Sequence, residues 1–486
     1  MLQSIKKLTR HSAVYGIGHI VSRFLGFLLM PIHTNVFLPE EYRTPTLLFA
    51  ALAILNVIFS YGLDSAFLRF FIIEDSVKKK YNIFSTAFWM ILGTGVCFSS
   101  IMIFNPAPFS NIIFRSAEHT TLIRLAGGIL LADALCLLPF LVLRAEEQST
   151  RFIILRSLNI IVNLVLNILF VVILRKGIES IFVANLATSL FTLFLVMPII
   201  FHWLRFVFQK TILTELLRFG LPYIPSGMAV LIMDKIGNFF IDRMVGPEAT
   251  GIYSAGCKLG MFMALVVAGF RFAWHPFFLS TSKQEDAQQI FARVLTYFLL
   301  VTGFLFLVIS YFIKEIVGFQ ISGIGLIGRD YIAGIDIVPL VMLAYIGYGV
   351  YTNFVVGIYL KKKTIYLPIV TGIGALVSIL SNLLLIPGLG ITGAAWAIFL
   401  AYASMASALY ILSKRLYPIP YEGRRIIKVL LIFGALFFIE HWLIGEEHVV
   451  YRIGLLLMAF PLLSVVKFYN IEERSSIKRI FRRSFG

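Results

Sequence analysis

Ser12 to Tyr42 reads SAVYGIGHIVSRFLGFLLMPIHTNVFLPEEY, and the rest of the chain is organised around it. From Ser12 to Phe37 it is apolar enough, and at about 1.5 Å per residue long enough, to cross a bilayer as a helix. One charge, Arg23, sits near its middle, and the stretch leaves through Phe37-Leu38-Pro39-Glu40-Glu41-Tyr42. The pattern returns from Gly220 to Tyr253, an apolar span with Asp234 and Lys235 inside it and Val245-Gly246-Pro247-Glu248 at its exit. When Pro39-Glu40 is set on Pro247-Glu248, Arg23 falls one helical turn before Lys235. A cation inside a span costs roughly 2.5–3.5 kcal/mol on insertion scales and is by default a mark of function. Two cations at related depths in two related helices point to one site built by two halves of a repeat.

The 486 residues are 59% hydrophobic and only 14% charged, with a mean hydropathy of +0.90. No soluble protein of this length hides that much apolar surface, so the chain reads as an all-α polytopic membrane protein. Cys97, Cys136 and Cys257 all lie inside apolar spans without metal-ligand spacing, so neither a disulfide framework nor a metal nor another cofactor is expected. A cleavable leader is not expected either: the first apolar stretch is too long and contains Arg23.

About fourteen spans can be read. The first six are 13–37, 46–68, 82–104, 120–143, 152–174 and 178–201; the next six are 220–242, 249–271, 291–313, 335–359, 364–386 and 391–413; the last two are 426–444 and 449–468. With the N-terminus in the cytoplasm, most of the 42 lysines and arginines fall in inner loops, including Lys78-Lys79-Lys80, Arg144, Arg151, Lys361-Lys362-Lys363 and Lys414-Arg415. Outer loops hold scattered cations such as Arg43, Arg115, Lys176, Arg329 and Arg452. This alternation is the positive-inside rule, with both termini inside. The net charge of +17 is therefore topological, and nucleic acid is not an expected partner.

A second echo pairs Lys176-Gly177-Ile178-Glu179 with Leu389-Gly390-Ile391-Thr392, each opening the sixth span of its half. Residues 1–201 and 220–413 then form two six-helix lobes related by a parallel repeat. Residues 202–219 read as an interfacial amphipathic linker, 414–470 as two extra helices, and 471–486 as a basic cytoplasmic tail, with Ile477–Arg483 suited to an anionic leaflet.

Ser22-Arg23-Phe24-Leu25-Gly26-Phe27 followed by Pro39-Glu40-Glu41-Tyr42 resembles the opening helix of the polysaccharide (O-antigen-type) flippases and lipid II flippases of the multidrug/oligosaccharidyl-lipid/polysaccharide exporter superfamily. Gly62-Leu63 with Ala66 and Arg69, Asp242-Arg243 with Gly251-Ile252-Tyr253-Ser254, and Ile386-Pro387-Gly388-Leu389-Gly390-Ile391-Thr392-Gly393-Ala394-Ala395 resemble later junctions of that family, in order and over essentially the whole chain. One departure is Arg43-Thr44-Pro45, where the family usually has Gly after Glu-Tyr. The resemblance implies a flippase of the inner (cytoplasmic) membrane. It would move an undecaprenyl-pyrophosphate-linked oligosaccharide for O-antigen, lipopolysaccharide or capsule assembly, without covalent chemistry. It would work as a monomeric transport unit, with polysaccharide polymerases as partners. It also implies that the two extra helices border a groove for the lipid tail.

A pyrophosphate crossing hydrocarbon needs fixed donors in place of its hydration. Arg23 offers a bidentate fork at mid-span, or else pairs with Asp64 or Asp133. Lys235 has Asp234 beside it as a neutralising neighbour, with Asn238 one turn on; Lys258 either joins the site or snorkels outward; Arg271 is interfacial or belongs to an inner gate. Asn159, Asn163 and Asn167 share one helix face and serve either helix–helix bonding or a polar cavity wall. The rival readings are a drug/cation antiporter, which favours acids in the cavity, and a membrane glycan polymerase or ligase, which needs a catalytic outer loop. The longest such loop runs only from Lys314 to Gly334.

Overall fold

The structure, a computed structural model, describes residues 27–321, 324–361, 363–444 and 449–469. Arg23 and the basic tail lie outside the described residues. Within them the fold is helical apart from an antiparallel pair of two-residue strands, β1 (Gln320–Ile321) and β2 (Ile324–Gly325). Ten helices there are long and apolar enough to cross a membrane. Their outward faces carry exposed apolar side chains such as Phe104, Phe194 and Leu384, as a lipid-facing surface requires.

A short helix α1 (Phe27–Val36) leads into α2 (Pro39–Ser60). This helix starts seven residues before the expected span, so Arg43-Thr44-Pro45 is helical and not a loop. The cause lies in Pro-Glu-Glu. Pro39 opens the helix where no amide hydrogen is needed. The Glu41 carboxylate accepts the Leu38 N–H at 2.9 Å, and both acids sit at the positive end of the helix dipole. Pro247-Glu248 opens α11 (Pro247–Thr281) in the same way. After a break at Tyr61-Gly62 come α3 (Leu63–Ile73), α4 (Val77–Phe104), the short α5 (Ala107–Phe114), α6 (Thr120–Ala145), α7 (Ser149–Asn167, continued by a wider turn over Ile168–Ile173) and α8 (Glu179–Trp203). The linker opens with the end of α8 and becomes helical again at Lys210: α9 (Lys210–Gly220) packs Ile212, Leu213 and Leu216 against the core near α3 and α4 and leaves Lys210 and Glu215 exposed.

Next come α10 (Tyr223–Met244), α11, α12 (Ala287–Gly318), a tight helical turn over Arg329–Ile337, and α13 (Val338–Leu360). The eleventh and twelfth expected spans fall in α14 (Tyr366–Leu416), which breaks at Gly390 with φ 56° and ψ −133°. A Cβ on Gly393 would sit 2.5 Å from the Leu385 carbonyl oxygen. In a straight helix those residues would be about 12 Å apart, so the two arms of α14 fold back on each other. The chain ends with α15 (Gly423–Ile439) and α16 (Val449–Val465). Arg452, expected in an outer loop, is only 3% exposed: its guanidinium lies 2.5 Å from Glu315 of α12 and 2.8 Å from Glu440 after α15. A charge buried among helices has to find carboxylates, and this one joins the last two helices to α12.

The core of the first half gathers Phe67, Phe84, Leu138 and Val196, with a second cluster around Leu47, Ile123 and Phe182. The second half is centred on Met233, Val341, Ala394 and Tyr402. The two halves meet where α2 packs on α10 and α11. Near Pro39 they are tied by polar bonds. Arg43 makes a two-pronged pair with Asp242 of α10, its Nη2 standing 3.0 Å from Oδ2, and gives a further hydrogen bond to the Phe114 carbonyl at 3.1 Å. Tyr331 Oη donates to the Phe37 carbonyl at 2.8 Å, and Asn35 donates to that of Gly325 at 2.8 Å. Where α3 begins and α9 ends, the contact is backbone on backbone: a Cβ on Gly62 would lie 1.9 Å from the Gly220 carbonyl oxygen.

Candidate functional site: a cationic cavity at the junction of the halves

Asp234, Lys235 and Asn238 lie within one turn of α10, and Ser254 and Lys258 are one turn apart on α11. That spacing turns each set to one face. The two faces meet in a cavity of about 270 Å³, which Phe27 and Phe262 also line. A second cavity, of about 330 Å³, shares Lys235, Asn238, Ser254 and Lys258 and runs on to His33, Tyr42, Asn163 and Asn185. Four of the six expected site residues, Lys235, Lys258, Asp234 and Asn238, are thereby brought together.

The electrostatics differ from the expectation in two respects. Asp234 makes no ion pair within 4.0 Å with its neighbour Lys235; its carboxylate accepts the Tyr402 hydroxyl at 2.5 Å, across to α14. Lys235 is half-buried and makes neither a hydrogen bond nor an ion pair with any described residue. Lys258 does not snorkel outward. Its ammonium lies 4.8 Å from the centroid of the Tyr42 ring and is hydrogen-bonded to that tyrosine's hydroxyl. An aromatic face and a phenol hold a cation in place without cancelling its charge. The cavity thus presents two ammonium groups, each with three donors, beside the Asn238 amide and the Ser254 hydroxyl. With one carboxylate, Asp234, against the two ammonium groups, the set stays net positive and suits an anion with several oxygens.

Arg271 is not part of it. It is exposed, donates from Nη1 to Tyr348 Oη at 2.7 Å, and lines neither cavity. Arg23 lies outside the described residues. Asn159 and Asn163 do both things expected of the asparagine row. They donate to Thr192 at 2.7 Å and to Thr188 at 3.4 Å across to α8, and they line a cavity. Asn167 Oδ1 is 2.9 Å from His33 Nε2, which places the ring hydrogen on that nitrogen.

Sequence reasoning passed over Tyr42, His33, Ser254 and Tyr402. A usable signal was the position of Tyr402 at mid-span, because a tyrosine hydroxyl buried there must find a partner.

The family model for polysaccharide biosynthesis proteins matches residues 8–282. Among solved structures the chain is similar to the lipid II flippase MurJ in an inward closed conformation, with TM-score 0.71, 15% identity, and coverage of 95% of this chain and 99% of that one. It is also similar to an inward-facing multidrug resistance MATE family transporter of the MOP superfamily, with TM-score 0.63, 15% identity, and coverage of 84% and 95%. An outward-facing MATE family transporter gives TM-score 0.58, 15% identity, and coverage of 85% and 96%. At these identities the likeness is one of fold. No curated protein matches the sequence.

Proposed function

Since the chain belongs to the polysaccharide biosynthesis protein family, we propose that it is a flippase for an undecaprenyl-pyrophosphate-linked oligosaccharide. It moves that lipid across the cytoplasmic membrane for surface polysaccharide assembly, and makes or breaks no covalent bond. The observation that carries this reading is the pair Lys235 and Lys258, two ammonium groups on adjacent helices, neither within 4.0 Å of a carboxylate among the described residues. A cation kept unpaired inside a membrane bundle costs several kcal/mol unless an anion or water meets it, and a pyrophosphate supplies that anion. The fold supports the reading, since its described relatives include a lipid II flippase. In the cavity at the junction of the halves one acid, Asp234, stands beside two lysines, a balance that favours an anion over the cation an antiporter carries.

In this reading the lobes 1–201 and 220–413 rock against each other, both termini face the cytoplasm, and 414–470 borders the lipid tail. Each chain is a transport unit that hands its product to a polysaccharide polymerase. The test is reconstitution into vesicles with a fluorescent polyprenyl-pyrophosphate-linked glycan, scoring the leaflet in which it resides. Wild-type protein should accelerate its transfer, and Lys235→Glu/Lys258→Glu should abolish it. Equal transfer by protein-free vesicles would end the proposal.

A further inference from the structure

A third cavity, of about 630 Å³, lies wholly within the first half, among α2, α3, α6, α7 and α8. Two acids and two arginines line it: Asp64 and Arg144 near the basic ends of the helices, Asp133 and Arg156 deeper in. All four are exposed to the cavity, and none forms an ion pair within 4.0 Å among the described residues. Asp133 accepts the Ser189 hydroxyl at 2.7 Å, and Arg156 lies over the Phe140 ring at 4.2 Å. From α2 and α8, the amides of Asn56 and Asn185 line the cavity without a hydrogen bond among the described residues. An amide left bare in a membrane interior costs roughly 2–7 kcal/mol, so this cavity holds water or a polar ligand.

Its chemistry narrows the ligand. The two positive and two negative groups cancel, so it is not built for an anion. Each carboxylate shares the cavity with a guanidinium group, Arg144 or Arg156, which opposes a bound cation. An apolar ligand would leave the amides and carboxylates unsatisfied. A neutral polyhydroxylated ligand, whose every hydroxyl both donates and accepts, fits a wall of amides, carboxylates and guanidinium groups with the rings of Phe140 and Phe152 beside them. The location agrees. Asn163 and Asn185 line both this cavity and the one holding Lys235 and Lys258, so the two are neighbours.

We propose that this cavity is a glycan subsite, which takes the uncharged sugars next to the pyrophosphate while Lys235 and Lys258 hold the phosphates. This rests on the flippase reading above and extends it to the sugar part of the substrate.

The experiment compares two probes on purified full-length protein in vesicles. One is undecaprenyl pyrophosphate without sugar; the other is the same lipid carrying the oligosaccharide extracted from the producing cells. The variants Asn56→Leu/Asn159→Leu and Asn56→Gln/Asn159→Gln alter only this cavity, and Lys235→Ala alters the other; thermal unfolding confirms that each is folded. The expected result is tighter binding of the glycan lipid by wild type. That preference should fall by about tenfold in the leucine variant and recover in part in the glutamine variant, with binding of the bare lipid unchanged. If the leucine variant does not fold, Asn56→Leu alone is read in the same way. A preference that survives these variants, or a wild type that binds both lipids equally, overturns the subsite and leaves the flippase reading standing. A wild type that binds neither lipid, and is indifferent to Lys235→Ala, overturns both.

Discussion

At the scale of single residues, the chemistry turns on which charges are left uncancelled. Lys235 is without an ion pair while its neighbour Asp234 accepts the Tyr402 hydroxyl, and the partner of Lys258, Tyr42, is neutral. Each lysine is therefore expected to contribute a charge-assisted interaction of roughly 1.5–3 kcal/mol to an anionic headgroup. Lys235→Ala and Lys258→Ala should each weaken binding of undecaprenyl pyrophosphate by roughly ten- to hundredfold, measured in vesicles at low salt. Tyr402→Phe frees Asp234 to face Lys235 and should weaken binding even though it leaves both lysines in place. Binding unchanged by Tyr402→Phe would show that Asp234 does not compete. Arg23 enters as a mid-span cation of the sequence: Arg23→Ala should abolish glycan export at matched protein level, Arg23→Lys should recover part of it, and Arg23→Glu should be worse than alanine. Normal export by Arg23→Glu would place that side chain outside the mechanism.

At the scale of elements, two ion pairs carry connections that hydropathy does not show. Arg43 on α2 binds Asp242 on α10 across the junction of the halves. Arg43→Asp should set two carboxylates against each other and favour separation of the helices at this end, and Arg43→Asp/Asp242→Arg should restore the pairing. Spin labels on α2 and α10 would report both changes. Arg452→Ala leaves Glu440 without its buried partner and should cost about 3–5 kcal/mol, seen as early release of α15 and α16 in limited proteolysis. Most of the helices were legible because twenty-residue apolar runs have few other meanings; the Pro-Glu pairs were read as exits of the preceding spans, whereas they open α2 and α11. The partner of Arg43 was not legible, because the residue it meets is 199 positions away and a single sequence carries no record of that contact. Arg452 looked like a loop cation because its own neighbours, Tyr451 and Ile453, say nothing about Glu315. The cavity lysines could be named but not their surroundings, which include a tyrosine from α14 on Asp234 and another from α2 on Lys258.

At the scale of the whole molecule, the alternation of basic loops sets the orientation. Single cysteines at Lys78 and Lys361 should resist impermeant thiol reagents in intact cells, and one at Glu447 should be labelled; labelling of Lys361→Cys from outside would reverse the map. Rocking of the lobes, as proposed above, requires the Pro39 and Pro247 ends to part, so a cross-link between cysteines at Glu40 and Glu248 should stop export, and reduction should restart it. The Gly62–Gly220 contact gives that motion a mechanical form. Two bare backbones touching at a point make a bearing: neither segment has side chains there that must be withdrawn before the other can turn. Helix α2 then acts as the lever arm, 22 residues from Ser60 to Pro39. Its length is about 33 Å, so a tilt of about ten degrees swings the far end through roughly 6 Å. That travel is enough to part Arg43 from Asp242, while the fulcrum itself hardly shifts. A methyl group on the bearing is therefore expected to act as a brake: Gly220→Ala should leave lipid binding intact and slow every turnover.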